Sequence, residues 1–267
     1  MWIDSHAHLD CFMEADELLD VIRRAREQGV SNIVAIGGSD AANTRALEAA
    51  RTHPGVHAVL GFDRDEAERD PDTDALKSML RDAVVVGVGE TGLDYHYRAE
   101  TASQQCGLLE RMLDMACDTG LPAVIHTRDA EEDTLSLLRG FVTRWNGPSD
   151  CPGVIHCYTG GIAFARSLMD LGMMISFSGI ITFKNAADLR EVVKCVPNDL
   201  LLIETDAPYL APVPYRGKRN EPAYVPLVGE VVAEVRGSAV EEIARLTANN
   251  ARRLFLNSAR MEGETEG

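Results

Sequence analysis

The sequence predicts a single (β/α)8 barrel of the TIM type. Eight short β-rich apolar runs alternate with longer segments of helical periodicity along almost all of its 267 residues. Eight such units in roughly 250 residues is the count of that barrel. A doubly wound open sheet is the competing α/β fold, but it usually has fewer strands, and no Gly-x-Gly-x-x-Gly follows the first run.

The predicted strands are Trp2–Ile3, Asn32–Ile36, Val56–Leu60, Val84–Val88, Pro122–Ile125, Gly153–Ile155, Met173–Phe177 and Leu200–Ile203. After the first, Leu18, Val21, Ile22 and Ala25 fall at i, i+3, i+4 and i+7, and Gly29 supplies a helix stop. Thr101-Ala-Ser-Gln104 has a capping-box pattern and opens a helix whose apolar face is Leu108, Leu109, Met112, Leu113 and Ala116. Pro197 closes a helix bearing Leu189, Val192 and Val193. A second capping box, Ser238-Ala-Val-Glu241, precedes Ile243, Leu246 and Leu254-Phe255. The long segment 207–226 contains five prolines and Arg216, Lys218 and Arg219, and is expected to cover one end of the barrel. Nothing breaks the composition into two parts, so the expected organisation is one barrel over 1–260 and a frayed polar tail over 261–267.

Composition excludes several classes of function. With Lys+Arg 26 and Asp+Glu 42 the net charge is −16, which repels polyanions and argues against broad electrostatic capture of nucleic acid or anionic membrane. Phosphate chemistry would need a local positive source. No apolar run approaches the roughly 18–20 residues of a membrane span, and the first residues carry neither a basic nor an apolar leader region, so a cytoplasmic protein is expected. The six cysteines contain no Cys-x-x-Cys pair and read as reduced structural thiols, Cys11 included.

Acidic and histidine side chains collect at the C-terminal ends of the predicted strands, which converge on the mouth where barrel enzymes carry their sites. Asp4, His6 and His8 end the first, Glu90 the fourth, His126 and His156 the fifth and sixth, and Glu204 and Asp206 the eighth. In an extended strand i and i+2 share a face, so His6 and His8 can reach one ion with Asp4 behind them, and Glu204 and Asp206 share a face. Cys157 points away from the His156 side. One strand histidine is ordinarily a satisfied core residue; four of seven, at one mouth with carboxylates, point to metal. His6, His8, Glu90, His126, His156 and Asp206 exceed the needs of one four-coordinate ion and suit two divalent ions bridged by Glu90. Imidazole suits zinc, manganese, iron or cobalt, and magnesium prefers more oxygen, so the ligands leave the metal open.

Five ordered motifs carry a family resemblance. Asp4-Ser5-His6-Ala7-His8-Leu9-Asp10, Gly89-Glu90-Thr91-Gly92-Leu93-Asp94-Tyr95, Ile125-His126-Thr127-Arg128-Asp129-Ala130, His156-Cys157-Tyr158-Thr159-Gly160 and Glu204-Thr205-Asp206-Ala207-Pro208-Tyr209-Leu210 resemble successive motifs of the TatD metal-dependent hydrolases, within the amidohydrolase-like barrels. Ser176-Phe177-Ser178-Gly179, Phe183-Lys184-Asn185-Ala186 and Arg216-Gly217-Lys218-Arg219-Asn220-Glu221-Pro222 are also similar to that family. The resemblance implies a two-metal phosphodiesterase or DNase, often a 3′–5′ exonuclease on single strands, with zinc, manganese or magnesium as the ions. It places His6, His8, Glu90 and Asp206 on one metal and Glu90, His126 and His156 on the other. Asp206 would orient or deprotonate the attacking water, with Glu204 a nearby catalytic or supporting carboxylate. The implied partner is single-stranded DNA or another phosphodiester, with no membrane or obligate protein partner and a monomeric state. Two cations would neutralise phosphoryl oxygens that otherwise repel a nucleophile, which gives an acidic protein a focal positive site.

One departure stands out. Where the family usually has Gly-x-His-Pro after the third strand, this chain has Gly61-Phe62-Asp63-Arg64. Aspartate removes a neutral or cationic partner for phosphate, which is expected to weaken or redirect nuclease activity unless Arg64 compensates; His57 sits at the wrong end of its strand to do so. Arg64, Asp63, Arg128, Lys184 and Arg216 are the candidate substrate contacts, with Arg98 and Lys218 as ready to be solvated surface cations. Tyr95, Tyr158 and Tyr209 are candidate base-stacking faces that packing explains equally well. The competing function is hydrolysis of a small amide, lactone or ester by the same metals; a metal- or nucleic-acid-binding barrel without turnover is a third.

Overall fold

A computed structural model describes residues 1–12, 17–69, 71–148 and 150–256; the tail expected over 261–267 lies outside them. Eight parallel strands form one sheet in sequential order: β1 Trp2–Ala7, β2 Val30–Gly38, β3 Val56–Phe62, β4 Val85–Asp94, β5 Ala123–Arg128, β6 Gly153–Ile155, β7 Met174–Phe177 and β8 Leu201–Ile203. The sheet closes where β1 meets the end of β8. Ala7 bridges Ala207, the Asp206 N–H donates to the His6 carbonyl at 3.0 Å, and the His8 N–H to the Ala207 carbonyl at 2.8 Å. The barrel closure is thus made by the same segments that carry His6, His8 and Asp206.

The outer helices are α1 Glu17–Glu27, α2 Asp40–Thr52, α3 Thr73–Met79, α4 Tyr95–Arg98, α5 Ala102–Thr119, α6 Glu131–Arg144, α7 Ile162–Asp170, α8 Ala187–Cys195, α9 Val225–Arg236 and α10 Val240–Phe255. Leu18, Val21, Ile22 and Ala25 are the buried residues of α1, as their spacing requires. Inside the strands, Ile3, Val34, Ile36, Val59, Val124, Val154, Met174 and Leu202 pack with Ala248, Ala251, Leu254 and Phe255 of α10. That helix therefore stoppers the end of the barrel away from the ligand-bearing strand ends.

Both expected capping boxes are absent. The Thr101 hydroxyl donates to the Arg98 carbonyl and accepts from Gln105 Nε2, because a 3-10 turn over Ala99–Thr101 leads straight into α5. At α10 the cap falls on Ala239, since the Ser238 N–H is taken by the Ala233 carbonyl in the stop of α9 at left-handed Gly237. The segment expected as loop over 207–226 ends earlier, with a 3-10 turn over Pro222–Tyr224 and α9 from Val225. Proline in the first turn of a helix has no amide bond to lose, so Pro226 begins the helix and does not delay it.

β1 to β5 reach further than their apolar runs, β6 matches its run, and β7 and β8 each begin one residue later. The largest extension is in β4, which continues through Gly89-Glu90-Thr91-Gly92 with a register shift between Val88 and Thr91. A bulge of this kind re-aims a side chain at the price of local pairing. Gly89 has φ +148°, and a Cβ there would meet the Val124 carbonyl oxygen at 2.5 Å, so only glycine fits before Glu90.

Candidate metal centre

Glu90 lies within β4, not at its end, and is buried with one oxygen toward each of two histidine pairs. Its Oε2 is 3.4 Å from His6 Nε2 and 3.5 Å from His8 Nε2. Its Oε1 is 3.1 Å from His156 Nε2 and 3.6 Å from His126 Nδ1. Asp206 Oδ1 completes the first side at 3.7 Å from His6 Nε2 and 3.5 Å from His8 Nε2. Within each pair the ring nitrogens are 3.4 Å apart, too long for a strong hydrogen bond and aimed at common points. His6–His8–Glu90, His6–His156–Asp206 and Glu90–His126–His156 each bring three ligand atoms within 4.8 Å of one another. Nitrogen and carboxylate donors converging in this way fit divalent cations, and all six sequence-derived candidates are in the cluster.

The surrounding groups fix ring orientation. His156 Nδ1 donates to Glu204 Oε1 at 3.3 Å, and the same oxygen accepts from the Cys157 N–H at 2.7 Å. His126 Nε2 donates to Asp94 Oδ2 at 3.1 Å. Asp94 is anchored in turn, its N–H donating to Gln105 Oε1 and its Oδ1 accepting from the Tyr97 N–H. Carboxylates that grip the far nitrogen of a ligand histidine set its tautomer and raise its basicity. Asp4 stands behind the strand, its Oδ1 accepting from the His6 and Thr205 N–H groups and its Oδ2 from the Thr205 hydroxyl. It joins β1 to the residue beside Asp206.

Strand alternation does not govern Glu204 and Asp206. β8 ends at Ile203, and Asp206 takes a left-handed φ of +57°, which turns its carboxylate toward His8 while Glu204 reaches His156. Such backbone strain in a non-glycine residue is held by the surrounding hydrogen bonds. Cys157, with φ +43°, places its Sγ 3.2 Å from the Ser178 hydroxyl and outside the cluster.

Charge within the centre is shared unevenly. Burial pushes Glu90 up, but His156 and His6 outweigh it and hold the carboxyl well below the usual range. Burial likewise raises Asp206, and His8, His6 and His156 bring it below its ordinary value. His156 is lowered by burial yet lifted well above the ordinary imidazole value by Glu90 and Glu204. His6, whose ring stacks on His156 with centroids 3.8 Å apart, is lowered by burial and by that neighbour.

The centre opens into a cavity of about 730 Å³ lined by Asp10, Asp63, Arg64, Asp65, Tyr97, Arg128 and Tyr209 among others, within the roughly 300–1,000 Å³ of small-ligand sites. Asp63 caps the turn after β3, its Oδ1 accepting from the Asp65 N–H, and burial together with Glu90 raises it to about 7. Arg64 faces Glu90 and Asp94. Arg128 lies over the Tyr97 ring at 4.9 Å. Tyr97 and Tyr209 are 64 % and 56 % exposed on the cavity wall.

The remaining candidates lie elsewhere. Lys184 lines a separate groove beside α8, and Arg216 covers the Phe183 ring at 4.3 Å. Arg98 pairs with Glu68 and Glu100, and Lys218 sits 5.7 Å over Tyr215. His57 bonds Asn32. Tyr95 donates to Asp133, and Tyr158 is buried against Phe164 and Phe177. The Cys11 thiol is pushed up by burial and Asp10, as an unreactive thiol is. Missed in the sequence were Asp94, four residues past Glu90 and marked by its carboxylate in the same motif, and Tyr97, which carried no signal beyond its aromatic ring.

A parallel barrel with four histidines and two carboxylates converging at its C-terminal mouth defines a metal-dependent hydrolase of the barrel class. Its relatives place it further. A model of the TatD related DNase family matches residues 3–256, and the chain belongs to that family. It is 40 % identical over 257 residues to the uncharacterized metal-dependent hydrolase YabD of Bacillus subtilis, covering 96 % of this chain and 99 % of that one. It is 35 % identical over 248 residues to a protein of Erwinia amylovora named 3′-5′ ssDNA/RNA exonuclease TatD, covering 88 % and 92 %. The crystal structure of the TatD homologue YJJV of Escherichia coli K12 superposes with a TM-score of 0.88 at 29 % identity, covering 96 % and 98 % of the two chains.

Proposed function

We propose that this metal-dependent hydrolase cleaves phosphodiesters with two divalent cations, as a 3′–5′ exonuclease on single-stranded nucleic acid. The observation that carries the proposal is the two-sided Glu90, whose oxygens each face a separate histidine pair. The name of the Erwinia amylovora relative supports the choice of bond. His6, His8, Glu90 and Asp206 would hold one ion and Glu90, His126 and His156 the other, the ions being zinc, manganese or magnesium. When bound, the pair supplies positive charge to the phosphoryl oxygens and lowers the pKa of water.

The chain's own groups do the rest. Asp206, held ionised by its histidines, orients the attacking water and accepts its proton. Glu204 and Asp94 hold His156 and His126 in the ligating tautomer. Arg64 and Arg128 offer donors to phosphate oxygens from the cavity wall, and Tyr97 and Tyr209 offer faces to unpaired bases. A cavity of this size takes the end of a strand, which suits an exonuclease. The protein would act as a cytoplasmic monomer. Among the described residues no helix is long and apolar enough to cross a membrane.

A second reading, hydrolysis of a small amide, lactone or ester, is favoured by one feature. Asp63, Asp65 and Asp10 on the cavity wall suit a neutral acyl substrate better than an anion. Hydrolysis of single- and double-stranded DNA, RNA, bis(p-nitrophenyl) phosphate and p-nitrophenyl acetate decides between them, each with chelator and with added manganese, magnesium or zinc. Chelator-sensitive cleavage of single strands is expected. Turnover of the acyl ester alone would transfer the assignment to the second reading.

A further inference from the structure

The two halves of the centre differ in their charged neighbours: behind its rings the His126–His156 half has the carboxylates Asp94 and Glu204, and one cation, Arg64, stands beside it. From the turn after β3, Arg64 brings Nη1 to 3.7 Å from Glu90 Oε1 and Nε to 3.6 Å from Asp94 Oδ2, the carboxylate that holds His126. Its side chain is 22 % exposed and lines the cavity, so the guanidinium has anionic partners on one side and substrate space on the other. Asp63 caps the turn that presents it. On the other half, the ion-pair partners of Glu90 Oε2 and Asp206 Oδ1 are His6 and His8.

We propose that Arg64 makes the two cation sites unequal, so that the His6–His8–Asp206 half fills first and the His126–His156 half fills together with the phosphodiester anion. Guanidinium keeps its charge at every working pH and neutralises the Glu90 oxygen on which the second cation depends. It also repels that cation across a partly buried gap. A phosphodiester brings a negative charge and paired oxygens that match the guanidinium fork, and so draws Arg64 from Glu90 and Asp94 onto the substrate. The acidic chain is thereby kept from holding a fully charged two-ion centre until substrate arrives. This inference rests on the two-ion phosphodiesterase reading above.

The test is calorimetric titration of the metal-free full chain with manganese, for wild type, Arg64→Gln and Arg64→Lys, with and without dimethyl phosphate as a phosphodiester probe. In wild type, two unequal sites are expected. Arg64→Gln should tighten the weaker site by roughly 10–100-fold, the scale on which groups outside the ligand set tune metal affinity. Arg64→Lys should keep the inequality. Dimethyl phosphate should narrow it in wild type and do little in the glutamine variant. A weaker site that is unchanged or loosened by Arg64→Gln would assign Arg64 to bracing Glu90 and Asp94 and overturn the proposal, as would equal sites in wild type. The dimethyl phosphate arm on wild type stands even if a variant fails to fold. Two ions with constants indifferent to Arg64 defeat this inference alone; a single ion in every protein defeats the two-ion reading with it.

Discussion

Replacing Glu90 with glutamine keeps the side chain's shape and removes the charge that four imidazoles face at 3.1–3.6 Å. An amide offers one oxygen to one histidine pair and an NH2 group to the other, so one half loses its acceptor and both lose the anion. An ion present at 100 times its dissociation constant stabilises the fold by about 2.7 kcal/mol, and two such sites, both filled when dimethyl phosphate is present in the melts, give about 5 kcal/mol. With about 2–4 °C per kcal/mol for a chain of this size, chelation should lower the wild-type melting temperature by about 10–20 °C. In Glu90→Gln that difference should fall to half or less. Loss of about 4 kcal/mol of charge stabilisation in the transition state corresponds to about 10³-fold in rate. Thermal melts with and without EDTA, beside hydrolysis of bis(p-nitrophenyl) phosphate, read both effects. A variant with the wild-type chelator shift and wild-type turnover would refute the bridging role of Glu90.

Four other outcomes follow from the same geometry. Glu204→Gln should weaken metal binding in the His126–His156 half by roughly 10–100-fold without changing the fold, as equilibrium dialysis and circular dichroism will show. His156 has a folded-state pKa raised above its unfolded value, so in the metal-free protein its stabilisation is complete below the unfolded value and is lost as pH rises through the folded one. Metal must displace that proton; titration calorimetry in buffers of different ionisation enthalpy should find proton release, and affinity should rise with pH. Tyr97→Ala should raise KM for single-stranded DNA by about 5–150-fold, the equivalent of about 1–3 kcal/mol of stacking, and leave bis(p-nitrophenyl) phosphate turnover unchanged. Asp63→His should raise DNA cleavage if the aspartate weakens phosphate binding; no gain on single- or double-stranded DNA would count against that role.

The barrel was legible because Val, Ile and Leu runs mark buried parallel strands, and the ligands because His and carboxylate stand directly beyond those runs. What hid was where the backbone leaves regular geometry. Gly89-Glu90-Thr91-Gly92 reads as a strand ending, yet β4 continues through it with the bulge that turns Glu90 inward. Alternation put Glu204 and Asp206 on one face, whereas the left-handed Asp206 follows a strand that has already stopped. Arg216 and Lys218 of the long loop suggested phosphate contacts, but Arg216 covers Phe183 and Lys218 lies over Tyr215. Which way a surface cation turns depends on distant residues that meet it only after folding. The positive charge that reaches the cavity comes instead from Arg64 and Arg128, on turns and strand ends that position them.

The central claim is a pair of ions sharing Glu90, and electron paramagnetic resonance of the manganese-loaded chain in the presence of dimethyl phosphate addresses it directly. Two ions about 3.5–4 Å apart across one carboxylate should give an exchange-coupled spectrum at two manganese per chain. An isolated six-line spectrum at saturation would contradict it.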